Sequence, residues 1–231
     1  MEPILKPRVK ICCITSIQEA WLAIRYGASA VGLVSEMPSG PGPIPEDRIA
    51  EIAGAVPPSV ASFLLTSKQN VSEIVAQHRQ CGTSVIQLCD RLQTGDYNEL
   101  KESMPGIGLV QVVHVTGEEA FDEACTVAPY VNGILLDSGK PSLRVKELGG
   151  TGRTHDWNIS KRIREKLEVP VFLAGGLTAG NVVEGLRQVQ PFGVDVCNGV
   201  RTGGKLDEGK LAAFFNAIFS CYQSGRNQLL Q

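Results

Sequence analysis

The sequence predicts an α/β protein built as a single (β/α)8 barrel that covers residues 1–231. Three observations support this prediction. Eight short apolar segments recur along the chain, a helix-like amphipathic segment follows each of them, and 231 residues suit one barrel of this kind. Apolar residues make up 43% of the chain, which is enough for a sizeable core.

The apolar segments are the predicted strands, and they are nearly continuous in aliphatic residues, as buried parallel strands should be. They span residues 9–14, 30–34, 59–65, 84–88, 109–115, 132–138, 170–174 and 193–197. The predicted helices span residues 16–26, 45–54, 71–80, 96–103, 117–127, 157–167, 179–188 and 207–222. An open doubly wound sheet is the alternative, but it would leave edge strands to protect, and no GxGxxG sequence follows the first strand.

Composition excludes several classes of function. The net charge is −2 and no basic block is present, so nucleic acid is not an expected partner. No apolar stretch approaches the length of a membrane span, and the first ten residues lack the apolar run of a signal peptide. We expect a cytoplasmic protein that does not bind membranes.

Seven cysteines, an odd number, indicate free thiols in a reducing compartment. The histidines, His78, His114 and His155, are far apart, and no CxxC or HxxxH spacing occurs. A structural zinc site is therefore not expected.

In a barrel of this type, function is expected at the carboxyl ends of the strands. The polar residues there are Cys12, Gln87, Cys89, Asp90, His114, Asp137, Asp195, Cys197 and Asn198. Glycine-rich turns, "LAGGLTAGN" at 173–181 and "NGVRTGG" at 198–204, follow the seventh and eighth strands. They predict a phosphate site on the backbone of Gly175, Gly176, Gly199 and Val200, although such glycines can also serve tight turns alone.

Five segments in order resemble the motifs of the phosphoribosylanthranilate isomerase family, from about Val9 to Phe215. They are "KICCIT", "GILLDS", "GGTGRTHDW", "LAGGLTAGNV" and "VDVCNGV". The resemblance implies a (β/α)8 barrel and an enzyme of tryptophan biosynthesis. The implied reaction is an Amadori rearrangement, which needs a general acid and a general base.

By the same resemblance, Cys12 is the base, Asp137 is the acid, and Cys13 occupies a glycine position. Strand alternation predicts that Cys13 points away from Cys12. The substrate- and phosphate-binding candidates are Gly150, Gly152, Gly175, Gly176, Asp195, Gly199, Val200 and Arg201. The expected partner is a phosphorylated small molecule, no metal or organic cofactor is expected, and the protein is expected to be a monomer or a homodimer.

The sequence departs from the family at the end that would hold the aromatic acid. Gly42 stands where the family has an arginine that pairs with the anthranilate carboxylate. Cys89 and Asp90 replace a His-Gly pair, His155 replaces a phenylalanine, and Arg201 replaces a glutamate and is expected to serve phosphate or a sugar hydroxyl.

Three interpretations remain at this point. The first is a phosphoribosylanthranilate isomerase whose carboxylate contact comes from Arg48, Arg91, Arg153 or Arg201. The second is a related isomerase that acts on another phosphorylated sugar or aminosugar. The third is a non-catalytic barrel that binds a phosphorylated metabolite, which the retention of Cys12 and Asp137 disfavours.

Overall fold

Eight parallel strands close into a barrel in a computed structural model of the chain, which describes residues 6–92 and 96–228. The strands are β1 (Arg8–Ile11), β2 (Ala30–Val34), β3 (Ala61–Thr66), β4 (Val85–Leu88), β5 (Gly108–His114), β6 (Gly133–Asp137), β7 (Val171–Leu173) and β8 (Gly193–Val196). Each strand pairs with the next along the chain, and β8 pairs with β1. The predicted (β/α)8 fold is confirmed, while residues 1–5, 93–95 and 229–231 of the predicted single domain lie outside the described residues.

A helix follows each strand and covers the outside of the barrel. The helices are α1 (Ile17–Tyr26), α2 (Glu46–Ala55), α3 (Val71–Cys81), α4 (Tyr97–Ser103), α5 (Glu119–Val127), α6 (Trp157–Lys166), α7 (Val182–Val189) and α8 (Glu208–Gln228). Local signals set several of the ends. At α1, for example, the Ser16 side chain accepts a hydrogen bond from the N–H of Glu19, and Gly27 ends the helix with φ of 107°.

The core consists of two layers. The outer layer packs aliphatic side chains between the strands and the helices, and includes Ile11, Leu33 and Phe214, none of them exposed. The inner layer fills the barrel, where the rings of Phe63 and Phe172 meet edge to face with centroids 6.4 Å apart. Because both layers exclude water, a charged side chain on an inward strand position needs a partner.

Two short elements beyond the eight repeats lie next to the site. A turn of 3-10 helix (Asn198–Val200) follows β8, and a small antiparallel pair, β9 (Arg201–Thr202) and β10 (Lys205–Leu206), comes before α8. Within the described part of the chain, no helix is long and apolar enough to cross a membrane.

Candidate active site

The carboxyl ends of the strands open into one pocket, which is where barrel enzymes keep their sites. Eight of the predicted site residues line it, and they come from β6, β8 and the segments that follow β1, β6, β7 and β8. They are Cys12, Asp137, Gly150, Gly152, Gly175, Gly176, Asp195 and Gly199. The structure therefore brings together residues that are far apart in sequence, while their chemical roles stay predictions.

The backbone turns directly after β1, and this turn puts two cysteines on the pocket. The strand ends at Ile11, three residues earlier than predicted, and Cys13 has a φ of 61°, in the left-handed region. Cys12 and Cys13 are both buried, and both line the pocket. The prediction that Cys13 points away is wrong, because side chains alternate only while the backbone stays extended.

The surroundings of Cys12 stabilise its ionised form. The adjacent Cys13 thiol has the largest lowering effect on the pKa of Cys12, and the ammonium of Lys10 acts in the same direction, against the effect of burial. Gly32 on β2 makes this approach feasible, since a Cβ there would lie 2.9 Å from Cys12 Sγ and 3.0 Å from Lys10 Nζ. A thiol with a lowered pKa is suited to accept a proton near neutral pH.

Lys10 and Asp195 form an ion pair in the floor of the pocket. Their strands, β1 and β8, place them opposite each other, and Lys10 Nζ lies 2.9 Å from Asp195 Oδ2. Burial by itself would lower the pKa of Lys10, but the Asp195 carboxylate raises it, so the lysine stays charged. The second oxygen, Asp195 Oδ1, is buried and has no hydrogen-bond partner among the described residues, which leaves it available to a substrate hydroxyl.

Asp137 is the last residue of β6 and faces the pocket from another side. Its Oδ1 accepts a hydrogen bond from the N–H of Ser138 at 2.7 Å, and a Cβ on Gly149 would lie 2.6 Å from its Oδ2. Around the closed barrel, β6 lies three strands from β1. Cys12 and Asp137 can therefore reach different atoms of one bound molecule.

His155 lies behind Asp137, with Gly175 between them. A Cβ on Gly175 would lie 3.1 Å from both Asp137 Oδ1 and His155 Nδ1. His155 Nε2 is 2.7 Å from the Ser160 Oγ, whereas Nδ1 is buried without a hydrogen-bond partner among the described residues. Burial lowers the pKa of His155 to about 4, so the ring is neutral at pH 7.

Three glycines, Gly175, Gly176 and Gly199, form what we call the glycine rim of the pocket. Gly175 and Gly176 have φ values of 78° and 62°. A Cβ on Gly199 would lie 1.9 Å from the Leu177 carbonyl oxygen, and one on Gly176 would lie 2.6 Å from the carbonyl carbon of Arg153. The N–H groups of Gly175 and Gly176 donate to no other described residue. Such a rim suits an anion such as phosphate.

The loop at 138–156 forms another wall of the pocket and carries Gly150 and Gly152. Asn198 Nδ2 donates to the Gly150 carbonyl at 2.8 Å, and Ser39 Oγ donates to the Lys146 carbonyl at 2.7 Å. These bonds hold the loop between the loops that follow β2 and β8.

Val200 and Arg201 do not line the pocket as the described residues define it. The N–H of Val200 donates to the Cys197 carbonyl at 3.3 Å. The guanidinium of Arg201 is buried against Glu19, with two contacts of 3.2 Å, and it also donates to the carbonyls of Cys12 and Cys13. Arg201 thus pairs with Glu19 and supports the turn after β1, while its expected contact with phosphate or a sugar hydroxyl stays a prediction.

Gly42 is closely coupled to Cys13. Its φ is 82°, and a Cβ on it would lie 2.6 Å from the Cβ of Cys13. The four arginines considered as replacements for the missing cation each pair with a glutamate: Arg48 with Glu51, Arg91 with Glu123, Arg153 with Glu147 and Arg201 with Glu19. None of these four arginines lines the pocket that the described residues form.

Sequence patterns did not single out Lys10 or Ser138, and strand alternation gave Cys13 the wrong orientation. A lysine inside the apolar segment "VKICCI" was the available signal for Lys10, since strand alternation places it with the inward residues. Among residues 6–92 and 96–228, no group of three or more His, Cys, Asp or Glu side chains is arranged to hold a metal ion. The chemistry that these side chains can supply is proton transfer beside an anion site.

Comparison with known proteins agrees with this chemistry. Residues 9–217 match the family model of N-(5'-phosphoribosyl)anthranilate (PRA) isomerase. The N-(5'-phosphoribosyl)anthranilate isomerase of Haloferax volcanii is 37% identical over 212 residues, which cover 91% of this chain and 92% of that protein. The phosphoribosyl anthranilate isomerase structure from Thermotoga maritima superposes with a TM-score of 0.77 at 27% identity and covers 93% of this chain and 99% of its own.

A second solved phosphoribosyl anthranilate isomerase is in complex with reduced 1-(o-carboxyphenylamino)-1-deoxyribulose 5-phosphate. It superposes with a TM-score of 0.75 at 25% identity, over 93% of this chain and 99% of its own. The matches extend over nearly the whole barrel and include every strand that carries a site residue. The chain belongs to the N-(5'-phosphoribosyl)anthranilate isomerase family.

Proposed function

We propose that this chain catalyses the Amadori rearrangement of N-(5'-phosphoribosyl)anthranilate to 1-(o-carboxyphenylamino)-1-deoxyribulose 5-phosphate, a step of tryptophan biosynthesis. Family membership supports the reaction. The observation that carries the proposal is that Cys12, whose thiolate is stabilised, shares one pocket with Asp137 and the glycine rim. Binding alone would need neither a proton donor nor a proton acceptor.

Asp137 is the proposed general acid. It gives its proton to the ring oxygen of the ribose as the bond from C1' to that oxygen breaks, and the anthranilate nitrogen forms an imine with C1'. The hydrogen bond from the Ser138 N–H keeps the carboxyl group directed at the pocket from the end of β6. A fixed acid is needed because the leaving oxygen would otherwise develop negative charge.

Cys12 is the proposed general base. Its thiolate removes the proton from C2', the electrons of that C–H bond form a C1'=C2' double bond, and the electrons of the C1'=N double bond move to the nitrogen. The resulting enolamine becomes the ketone when C1' takes up a proton and the C2' hydroxyl loses one. Lys10 and the Cys13 thiol stabilise the thiolate before this step. The position of β1, three strands from β6, fits two proton transfers at the ring oxygen and at C2', which are both bonded to C1'.

The remaining pocket residues are proposed to hold the substrate. The glycine rim, with Gly150 and Gly152 beside it, would bind the phosphate through backbone N–H groups. Asp195 Oδ1 would accept a hydrogen bond from a ribose hydroxyl. The proposal includes a cytoplasmic location, which the seven free cysteines support, and covers either a monomer or a homodimer.

The test is a direct assay of the purified chain. N-(5'-phosphoribosyl)anthranilate is generated in place from anthranilate and phosphoribosyl pyrophosphate by a separate transferase, and the ketose product is measured by mass spectrometry after borohydride trapping. We expect turnover, and growth rescue of a tryptophan auxotroph that lacks this isomerase. Absence of product together with absence of rescue would refute the proposal.

A further inference from the structure

Four apolar side chains, Val34, Met37, Leu65 and Leu148, form what we call the apolar wall of the pocket. Val34 on β2 and Leu65 on β3 are paired in the sheet, Met37 and Leu148 come from the loops after β2 and β6, and all four belong to or pack against the inner core layer. In the closed barrel, β3 is four strands from β7, so Leu65 lies across the pocket from the glycine turn after β7. The pocket therefore suits a molecule with phosphate at one end and an aromatic ring at the other.

The loop at 138–156 crosses the mouth of the pocket beside the apolar wall. It starts at the end of β6, yet the carbonyl of Lys146 accepts a hydrogen bond from Ser39 Oγ, 2.7 Å away in the loop after β2. The ammonium of Lys146 forms an ion pair with Asp90, in the loop after β4. Because β3 lies between β2 and β4, Lys146 is held over the end of the strand that carries Leu65.

The ammonium of Lys146 has room for a second anion. Lys146 lies at the mouth, outside the lining that the described residues form, and its side chain is 35% exposed. Asp90 Oδ2 takes one of the three N–H groups of the ammonium. Asp90 itself is fixed, because its Oδ1 accepts the N–H of Arg91 at 2.9 Å. The remaining N–H groups of Lys146 are thus available to a carboxylate that arrives above the apolar wall.

The four arginines considered as replacements for the missing cation lie elsewhere. Arg48 is on α2, and Arg91 pairs with a glutamate of α5, on the outside of the barrel. The backbone of Arg153 lies against the glycine rim, at the phosphate end, and Arg201 supports the turn after β1. Location therefore distinguishes Lys146 from these arginines, although each of the five has an acidic partner.

We propose that Lys146 binds the anthranilate carboxylate, with the aromatic ring against the apolar wall, in place of the arginine that position 42 lacks. This inference rests on the proposed function, because it names the group that recognises one end of that substrate. Lys146 is a single point charge that it shares with Asp90, whereas an arginine offers two parallel N–H groups. Lys146 thus replaces part of the lost contact.

Binding of two unreactive ligands tests this assignment without the reaction. One is reduced 1-(o-carboxyphenylamino)-1-deoxyribulose 5-phosphate, and the other is the same compound without the carboxylate. Their dissociation constants are measured by calorimetry in the unmodified chain and in K146M, K146R, D90N and K68M. Met keeps the length of the lysine side chain, and the bond from Ser39 stays because it goes to the backbone. Asn keeps the oxygen that accepts from Arg91, and Lys68 is a lysine of the neighbouring loop after β3.

We expect K146M to bind the carboxylate ligand about five- to tenfold more weakly and the other ligand unchanged. K146R should keep most of the affinity, and K68M should match the unmodified chain. D90N should bind the carboxylate ligand at least as tightly as the unmodified chain, since it frees the ammonium. If K146M does not fold, K146Q replaces it.

Three results would overturn the inference. One is an unchanged affinity of K146M for the carboxylate ligand. Another is an equal loss for both ligands in K146M, or the same loss in D90N, because Lys146 would then only hold the loop in place. The third is a loss in K68M alone, which would assign the carboxylate to Lys68.

The isomerase assay separates this inference from the proposed function. An active enzyme whose affinity for the carboxylate ligand does not respond to K146M contradicts the role of Lys146 and leaves the proposed function standing. A chain without isomerase activity that binds the carboxylate ligand through Lys146 supports the carboxylate site and contradicts the proposed function. A chain that binds neither ligand contradicts both.

Discussion

Two parts of the pocket differ in whether backbone or side-chain atoms determine their shape. The glycine rim consists of backbone, and a Cβ on Gly199 or Gly176 would collide with the backbone of Leu177 or Arg153. The part of the pocket around Cys13 and Gly42 depends on which residue types stand at these two positions, and both differ from the pattern that the family resemblance implies. A backbone site admits almost no substitution, whereas a side-chain site can be rebuilt if two residues change together. Cys13 with Gly42 is such a pair.

The largest expected effect concerns the residues between the two ends. Cys12→Ser and Asp137→Asn should each lower kcat by about 10²–10⁴-fold, because each removes a proton-transfer group, while KM changes little. Steady-state kinetics with folded variants tests this expectation. Cys125→Ser is the control for loss of a thiol. A Cys12→Ser variant with near-normal kcat would assign the base to another group.

The backbone nature of the glycine rim can be tested with a matched pair of substitutions. Gly199→Ala puts a methyl group against the Leu177 carbonyl, and we expect kcat/KM to fall about 10²-fold through misplacement of the phosphate. Gly54→Ala on α2, where a Cβ has no neighbour within 4 Å, should keep full activity and stabilise the helix by about 0.5–1 kcal/mol. Equal activity in the two variants would show that the glycine rim does not position substrate.

Recognition of the anthranilate carboxylate should be weaker than in relatives that carry an arginine at position 42. Loss of a charge-assisted contact costs about 1.5–3 kcal/mol, which corresponds to a ten- to hundredfold lower kcat/KM. The pairing of Arg48, Arg91, Arg153 and Arg201 with glutamates is consistent with this expectation. A side-by-side assay with a family member that carries the arginine measures the difference; equal efficiency would mean that another cation holds the carboxylate as firmly.

Restoring the arginine at position 42 alone should fail. In Gly42→Arg the new side chain would collide with Cys13, and residue 42 has a φ of 82°, which strains any residue other than glycine. We therefore expect a loss of about 1–3 kcal/mol in the free energy of unfolding and no gain in kcat/KM. The double variant Cys13→Gly with Gly42→Arg should recover at least about 0.5 kcal/mol of that free energy of unfolding, because removing the Cys13 side chain relieves the collision. Gly40→Arg is the control, because its φ is 104° and the nearest atom to its Cβ is 3.5 Å away. Equal losses at positions 40 and 42 would contradict the coupling.

The smallest effect concerns His155 and pH. Burial lowers the pKa of His155 to about 4 in the folded chain, whereas its usual value is about 6.5. As pH falls below about 6.5, His155 therefore takes up a proton in the unfolded chain but stays neutral in the folded chain. Stability is therefore lost toward acid, and after allowance for partial exposure we expect His155 to contribute a loss of about 1 kcal/mol between pH 7 and pH 5. Urea unfolding at both pH values should show this loss reduced in His155→Phe. An identical loss in both proteins would mean that His155 is protonated in the fold.

The sequence by itself determined the repeat of strand and helix, the face on which the pocket opens and several side chains that line it, Cys12 and Asp137 among them. Strands and helices follow local periodicity. The strands that contain Ile11, Leu33 and Ile134 can therefore be predicted without knowing which other segments they pack against. Glycine turns such as 173–181 are also visible locally, since the missing side chain is the signal. Asp137 was found because parallel strands all end at the same face.

Only the tertiary structure decided how the loops use their side chains. Arg201 pairs with Glu19, 182 residues away, and donates to the carbonyls of the turn after β1. Cys13 faces the pocket because one φ angle is positive, and Gly42 is required by the Cβ of Cys13 rather than by its own turn alone. These outcomes depend on which loops the closed barrel brings within contact distance, and no periodic pattern along the chain contains that information.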